Sequence, residues 1–216
     1  MNTEKSMTYK IKEIFLTLQG EGYNTGKAAI FCRFSGCNLW NGITKNKNKA
    51  ICSFCDTDFV GTNGINGGTF LSADILSNQI ERLWGKGKND RFVILTGGEP
   101  MLQVDTPLID SLHEKGFFVA IETNGTIKIN EPIDWICVSP KVGVELVQKQ
   151  GSELKLIYPQ INIDPFIYEC MNFDYFYLQP MDNSRLKYNM KASVEFCQKN
   201  ALWRLSLQTH KFLGIR

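Results

Sequence analysis

Short apolar runs recur along the chain, each followed by a turn or by a helical pattern. The runs are Lys10–Leu18, Ala29–Phe34, Phe92–Leu95, Phe117–Ile121, Trp135–Val138, Leu154–Tyr158, Tyr175–Leu178 and Trp203–Leu207. They are rich in β-branched and aromatic residues and mostly unalternated, as strands buried on both faces should be. Between them lie apolar positions at helical spacing. Ser72 is placed to cap a helix whose apolar face is Ile75, Leu76, Ile80, Leu83 and Trp84, with Gly85 ending it. Asp105 caps a second, with Leu108, Ile109 and Leu112 inward and Gly116 past its end. Asp164-Pro165 opens a short third, and Arg185 to Asn200 reads as a fourth. Strands alternating with helices predict an α/β fold on a mostly parallel sheet. Strands outnumber helices, so the pattern fits an open, partial barrel better than a complete eightfold one. No repeat or linker divides the chain, and residues 1–216 are read as a single domain.

Composition narrows the class. Apolar residues make up 43% of 216 residues and charged ones 21%, enough for a sizeable core. Lys plus Arg number 24 against 22 Asp plus Glu, a net charge of +2 that supports neither nucleic-acid nor membrane-surface binding. No apolar run approaches the roughly 18 residues that span a bilayer. The N-terminal segment is polar, without a secretory apolar stretch, so the expected location is the cytoplasm. Seven cysteines, an odd number, in such a chain favour metal or cluster chemistry over disulfides.

Three of those cysteines are informative. Cys52-Ser53-Phe54-Cys55 brings two thiols into one short loop, and 14 residues separate it from Cys37, which directly follows a predicted strand. The intervening Thr44-Lys45-Asn46-Lys47-Asn48-Lys49 suits a surface excursion. No fourth cysteine or histidine lies nearby, whereas structural zinc usually has four protein ligands. A metal with an open position and a zinc knuckle completed by a distant ligand both remain open at this point. Cys32, Cys137, Cys170 and Cys197 read as small buried hydrophobes. Other polar signatures gather at predicted strand ends, where open α/β sheets bind ligands.

Those signatures carry a resemblance. They are Leu18-Gln19-Gly20-Glu21-Gly22, the stretch Phe31 to Trp40 around Cys37, Cys55-Asp56-Thr57 and Thr96-Gly97-Gly98-Glu99-Pro100. Glu122-Thr123-Asn124-Gly125, Ser139-Pro140-Lys141, Gln179-Pro180-Met181-Asp182 and Gln208-Thr209-His210-Lys211 follow in order. The set resembles the radical S-adenosylmethionine (SAM) enzymes. Their usual cysteine spacing is three residues, then two; the long first interval here is similar to a variant in the 7-carboxy-7-deazaguanine synthases of the queuosine pathway.

The resemblance implies a partial radical-SAM-type barrel and a set of residue roles. Cys37, Cys52 and Cys55 would ligate a 4Fe–4S cluster, leaving one iron for SAM. Phe54, Asp56, Gly98, Ser139, Lys141, Gln179 and Asp182 would contact SAM, and Thr57 a Mg²⁺ ion. The implied substrate is 6-carboxy-5,6,7,8-tetrahydropterin, converted to 7-carboxy-7-deazaguanine with loss of ammonia. Leu18, Gln19, Gly20, Glu21, Arg33, Thr96, Glu122, Asn124, His210 and Arg216 are its candidate contacts, the last through its main-chain carboxylate. Glu21, Glu122 and His210 are the positioning candidates. A flavodoxin or ferredoxin as electron donor and a homodimer are implied likewise. The competing readings are an activating enzyme that installs a glycyl radical, which usually has the short cysteine spacing, and a zinc-bound structural module.

Overall fold

Each apolar run becomes a strand in the computed structural model, which describes residues 8–87 and 89–216. The polar N-terminal stretch read above falls partly on residues 1–7, which lie outside the described residues. The strands are β1 (Tyr9–Leu18), β2 (Ala28–Phe34), β3 (Gly68–Phe70), β4 (Phe92–Gly97), β5 (Phe118–Thr123), β6 (Trp135–Val138), β7 (Gln150–Tyr158), β8 (Asn172–Pro180) and β9 (Trp203–Leu205). Only β3 has no counterpart in the hydrophobic pattern. Its three residues, Gly68, Thr69 and Phe70, are half-buried or exposed and carry no apolar period.

The described strands make one sheet in the order β3-β1-β2-β4-β5-β6-β7-β8-β9. β2 and β4 to β9 run parallel, while β1 is antiparallel to both its neighbours. The sheet ends at β3 on one side and β9 on the other, so it stays open, as the strand excess predicted.

Helices cover the outer face. In α1 (Ala73–Trp84) the Ser72 hydroxyl accepts from the Ile75 amide at 3.3 Å. Leu76 and Ile80 are buried there, but Ile75 is 50% exposed and lies off the apolar face. The stripe formed by Leu76, Ile80, Leu83 and Trp84 is complete without it. Asp105 caps α2 (Thr106–Glu114), accepting from the Leu108 amide at 3.1 Å. α3 (Leu186–Lys199) matches the fourth expected helix. The third is only a 3-10 turn, Pro165–Tyr168, and a short α4 (Thr209–Leu213) was not expected.

The main core joins α1 and α2 to β1, β2, β4 and β5, with Val93 and Leu95 pointing into it. Phe92 and Ile94 on the same strand point the other way, into a smaller cluster with Ala29 and Ala120. The parallel strands are therefore buried on both faces, as their unbroken runs implied. Cys32 and Cys137 are buried as expected and Cys197 is half-buried. Cys170 is exposed instead, on the turn after Pro165–Tyr168, where Tyr168 turns inward and the next positions face out. Among the described residues no helix is long and apolar enough to cross a membrane.

Candidate active site

A cavity of about 440 Å³ opens on the inner face of the sheet, and every candidate site residue named above lines it. Most arrive at the ends of parallel strands. β1 runs the other way, so Leu18 ends beside Ala28 at the start of β2. The following loop then crosses the inner face. Gly22 donates to the Ser206 hydroxyl at 2.9 Å and the Tyr23 amide to Glu153 at 2.8 Å. The Tyr23 ring stacks on Trp135 and Tyr175, at 4.9 and 4.5 Å between centroids. This anchorage carries Gln19, Gly20 and Glu21 to the cavity wall.

The cysteine corner depends on two close backbone approaches. Cys37 follows Gly36, whose carbonyl accepts from the Glu99 amide at 2.9 Å. A Cβ on Gly98 would strike that carbonyl, and one on Gly97 (φ +134°) would strike the backbone of Phe34. The glycines thus admit a neighbouring loop of the same chain, besides any ligand. Glu99, fully buried, accepts from the Met101 amide (3.0 Å), the Thr123 hydroxyl (2.7 Å) and the Asn124 amide (2.8 Å). Burial pushes its carboxyl up against those bonds. It lashes the end of β4 to the end of β5.

The free Cys52 and Cys55 thiols share a hydrogen bond, which pulls Cys55 down to about 6 and, with burial, pushes Cys52 up. The Cys37 sulfur accepts from the Leu39 amide at 3.4 Å. Behind the close pair, Lys141 Nζ donates to the carbonyl and the hydroxyl of Ser139, both at 2.6 Å. Burial lowers this ammonium, while the thiols beside it act the other way.

A polar wall faces this corner. Glu122 Oε1 accepts from Gln19 Nε2 (3.1 Å) and Lys155 Nζ (3.2 Å), and Oε2 accepts from the Thr96 hydroxyl (2.9 Å). Glu21 accepts from Lys155 Nζ (2.5 Å) and Gln208 Nε2 (2.9 Å). Arg33 Nε donates to Glu13 at 2.9 Å, and the other oxygen of Glu13 accepts from Arg216 at 3.1 Å. The Thr17 hydroxyl donates to the Arg216 main-chain oxygen at 2.6 Å, so the terminal segment lies against β1. His210 packs on Gly20, where a Cβ would strike its ring. Asp56 and Asp182 share the ammonium of Lys211, at 2.8 and 2.5 Å. Burial raises Asp56, and Lys211 outweighs it, leaving the carboxyl below its usual range.

Lys155, Lys211, Glu13 and Glu99 are among the site residues that motif reading left unassigned, as are Gln208 and Trp40. Lys211 and Glu99 stood inside recognised motifs without a role. Lys155 carried one signal, a charge flanked by Leu154 and Leu156 in an apolar strand.

The chemistry of the wall suits a cluster with SAM. Four free cysteines, Cys37, Cys52, Cys55 and Cys137, line one cavity, the first three in one corner, yet among the described residues no three His, Cys, Asp or Glu side chains converge on a single ion. The buried indole N–H of Trp40, on the same wall, has no hydrogen-bond partner among the described residues, and an occupant of the cavity could supply one. Thr57 lines the cavity beside Cys55, and among the described residues no hydrogen bond ties its hydroxyl to the backbone.

No protein-family model matches the chain. Full-length relatives do. A 7-carboxy-7-deazaguanine synthase from Burkholderia multivorans is 54% identical over 209 residues, covering 97% of this chain and 100% of the relative. One from Caulobacter vibrioides is equally identical over the same coverage. The chain belongs to the 7-carboxy-7-deazaguanine synthase family. The crystal structure of QueE from Escherichia coli superposes with a TM-score of 0.72 at 27% identity, covering 96% of this chain and 99% of that one. Membership in the 7-carboxy-7-deazaguanine synthase family makes the open sheet a radical SAM fold and the chain a lyase. The activating-enzyme and zinc-module readings are set aside on the same grounds.

Proposed function

We propose that this chain converts 6-carboxy-5,6,7,8-tetrahydropterin to 7-carboxy-7-deazaguanine with loss of ammonia, in queuosine biosynthesis. The observation that carries the reading is one cavity in which the corner of Cys37, Cys52 and Cys55 faces a wall of arginine and carboxylates. Cys37, Cys52 and Cys55 hold the 4Fe–4S cluster. Phe54, Asp56, Gly98, Ser139, Lys141, Gln179 and Asp182 hold SAM. When bound, these groups supply the one-electron chemistry that starts the ring contraction. The chain's own residues bind, orient and exclude water. Glu122 and Glu21 accept from the pterin amino and ring N–H groups, with Gln19, Thr96 and Asn124 beside them. Leu18, Gly20 and His210 complete the rim, together with Arg216. A flavodoxin or ferredoxin donates the electron, and the working form is a cytoplasmic homodimer; family resemblance alone supports those assignments.

Arg33 is assigned to the substrate carboxylate. Glu13 holds its Nε, which aligns the guanidinium as a planar donor. Arg33→Lys keeps the charge and loses the fork, so pterin binding weakens by about 1.5–3 kcal/mol while SAM affinity holds. Titration of the reconstituted enzyme with each ligand checks this.

Thr57 is assigned to Mg²⁺, an ion that prefers oxygen ligands and keeps several waters. Turnover in metal-free buffer rises several-fold on adding Mg²⁺ to wild type. Thr57→Val loses most of that rise and still cleaves SAM. An unchanged response in Thr57→Val removes the ion from this residue.

The whole reading is tested by anaerobic reconstitution with iron and sulfide, followed by product analysis with the pterin substrate. A brown, SAM-cleaving preparation that forms no 7-carboxy-7-deazaguanine would refute it.

A further inference from the structure

Lys155 belongs to no motif, yet its ammonium stands where the two glutamates of the cavity wall meet. It projects from β7 between buried Leu154 and Leu156 and is itself 4% exposed. Nζ donates to Glu21 at 2.5 Å and to Glu122 at 3.2 Å. The two carboxylates come from unrelated places, a loop after β1 and the end of β5. Two carboxylates drawn together in a poorly hydrated wall repel, and one of them takes a proton unless a cation stands between them.

We propose that Lys155 is a positioning residue for the substrate: it fixes Glu21 and Glu122 side by side as acceptors for the donor edge of the pterin's pyrimidine ring. It acts through the glutamates. The inference rests on the reading of those two glutamates as substrate contacts, and deepens it. A protonated carboxyl offers a donor where the pterin presents its own donors, so the ionised state matters as much as the place.

The direction of the effect follows from the neighbours. Burial pushes Glu122 up, and Lys155 with the bonds from Thr96 and Gln19 overcomes it, holding the carboxyl below its ordinary value. The other charged or titratable groups facing Lys155 are Glu153 on the same strand and the Cys137 thiol on β6, both pushed up by burial. Lys141 lies beyond them, and His210 packs on Gly20 next to Glu21. No second cation among these takes the place of Lys155 between the two glutamates. Removing it raises Glu122, so the protonated share grows as pH falls and the acceptor is lost at the acid end.

The test is equilibrium titration of the anaerobic, SAM-loaded holoenzyme with 6-carboxypterin, an aromatic relative of the substrate, followed by its fluorescence. Wild-type affinity changes by less than about twofold between about pH 7.5 and about pH 5.5. Lys155→Met loses affinity about tenfold or more toward the acid end and recovers it as pH rises, and Lys155→Arg keeps the flat profile. Iron content and SAM affinity stay at wild-type levels in both. A flat profile in Lys155→Met overturns the proposal, whether affinity is unchanged or uniformly lower, because a uniform loss marks packing damage alone. Should Lys155→Met not hold its fold, Lys155→Gln is read by the same criteria. Glu122→Gln separates the two layers. If it binds 6-carboxypterin as wild type does, the carboxylate is no substrate contact and the underlying reading falls. If it loses affinity while Lys155→Met stays flat, only the role of Lys155 falls.

Discussion

Replacing any one of Cys37, Cys52 and Cys55 by alanine removes the cluster and all turnover. Wild type reconstituted without oxygen carries about four irons per chain, as a 4Fe–4S centre requires, and each variant falls close to none. The reason is the count of ligands. Three thiolates leave no spare, and none of the remaining cysteines can substitute. Cys32 sits in the outer core, away from the cavity wall, and Cys137, which does reach the wall, is held on β6 with its thiol buried and pushed well up. Cys170 and Cys197 are not among the residues lining the cavity. Cys170→Ala and Cys197→Ala therefore keep iron, colour and activity. Iron assay and the visible spectrum decide it. Full activity in Cys52→Ala or Cys55→Ala would remove the pair from the centre.

Gly97→Ala has the second large effect. A methyl group there meets the Phe34 backbone, which has no flexible end to give way, and φ of +134° is strained for any side chain. The variant loses about 2–4 kcal/mol of stability, a fall of roughly 4–16 °C in Tm for a chain of this size. It also binds less iron, because the segment pushed aside leads directly to Cys37. Gly143→Ala is the control. Its φ is +84° with nothing within 4 Å of the added carbon, so it carries only backbone strain of about 1–2 kcal/mol. Thermal melts of the two apoproteins compare them directly, and equal losses would reject the clash.

Much of this was legible in the sequence because burial on both faces leaves unbroken apolar runs, and because the polar breaks fall at strand ends. Those breaks are where the cavity forms. The pattern failed where a residue's meaning lies in a distant partner. A lysine between Leu154 and Leu156 announces an inward charge, but nothing local says that residues 21 and 122 fold against it. Glu13 pairs with Arg33 only because β1 and β2 align those two positions in register. Lys211 likewise gains its role from Asp56 and Asp182. β3 was invisible because three residues hold no period, and Ile75 was placed on the apolar face because a helical stripe read from spacing alone has soft borders. Cys170 was misjudged for a related reason: apolar neighbours in sequence do not decide which way a turn directs one side chain.

The two lysine bridges of the cavity differ in what reaches them. Lys211 and its aspartates are between 33% and 49% exposed at their side chains, whereas the Lys155 side chain is 6% exposed. Dissolved salt shortens the range of attraction between exposed charges to about 3 Å at 1 M and leaves enclosed pairs nearly untouched. The half of the cavity assigned to SAM is thus joined by a clasp that ionic strength can loosen. The half assigned to the pterin is joined by one that it cannot.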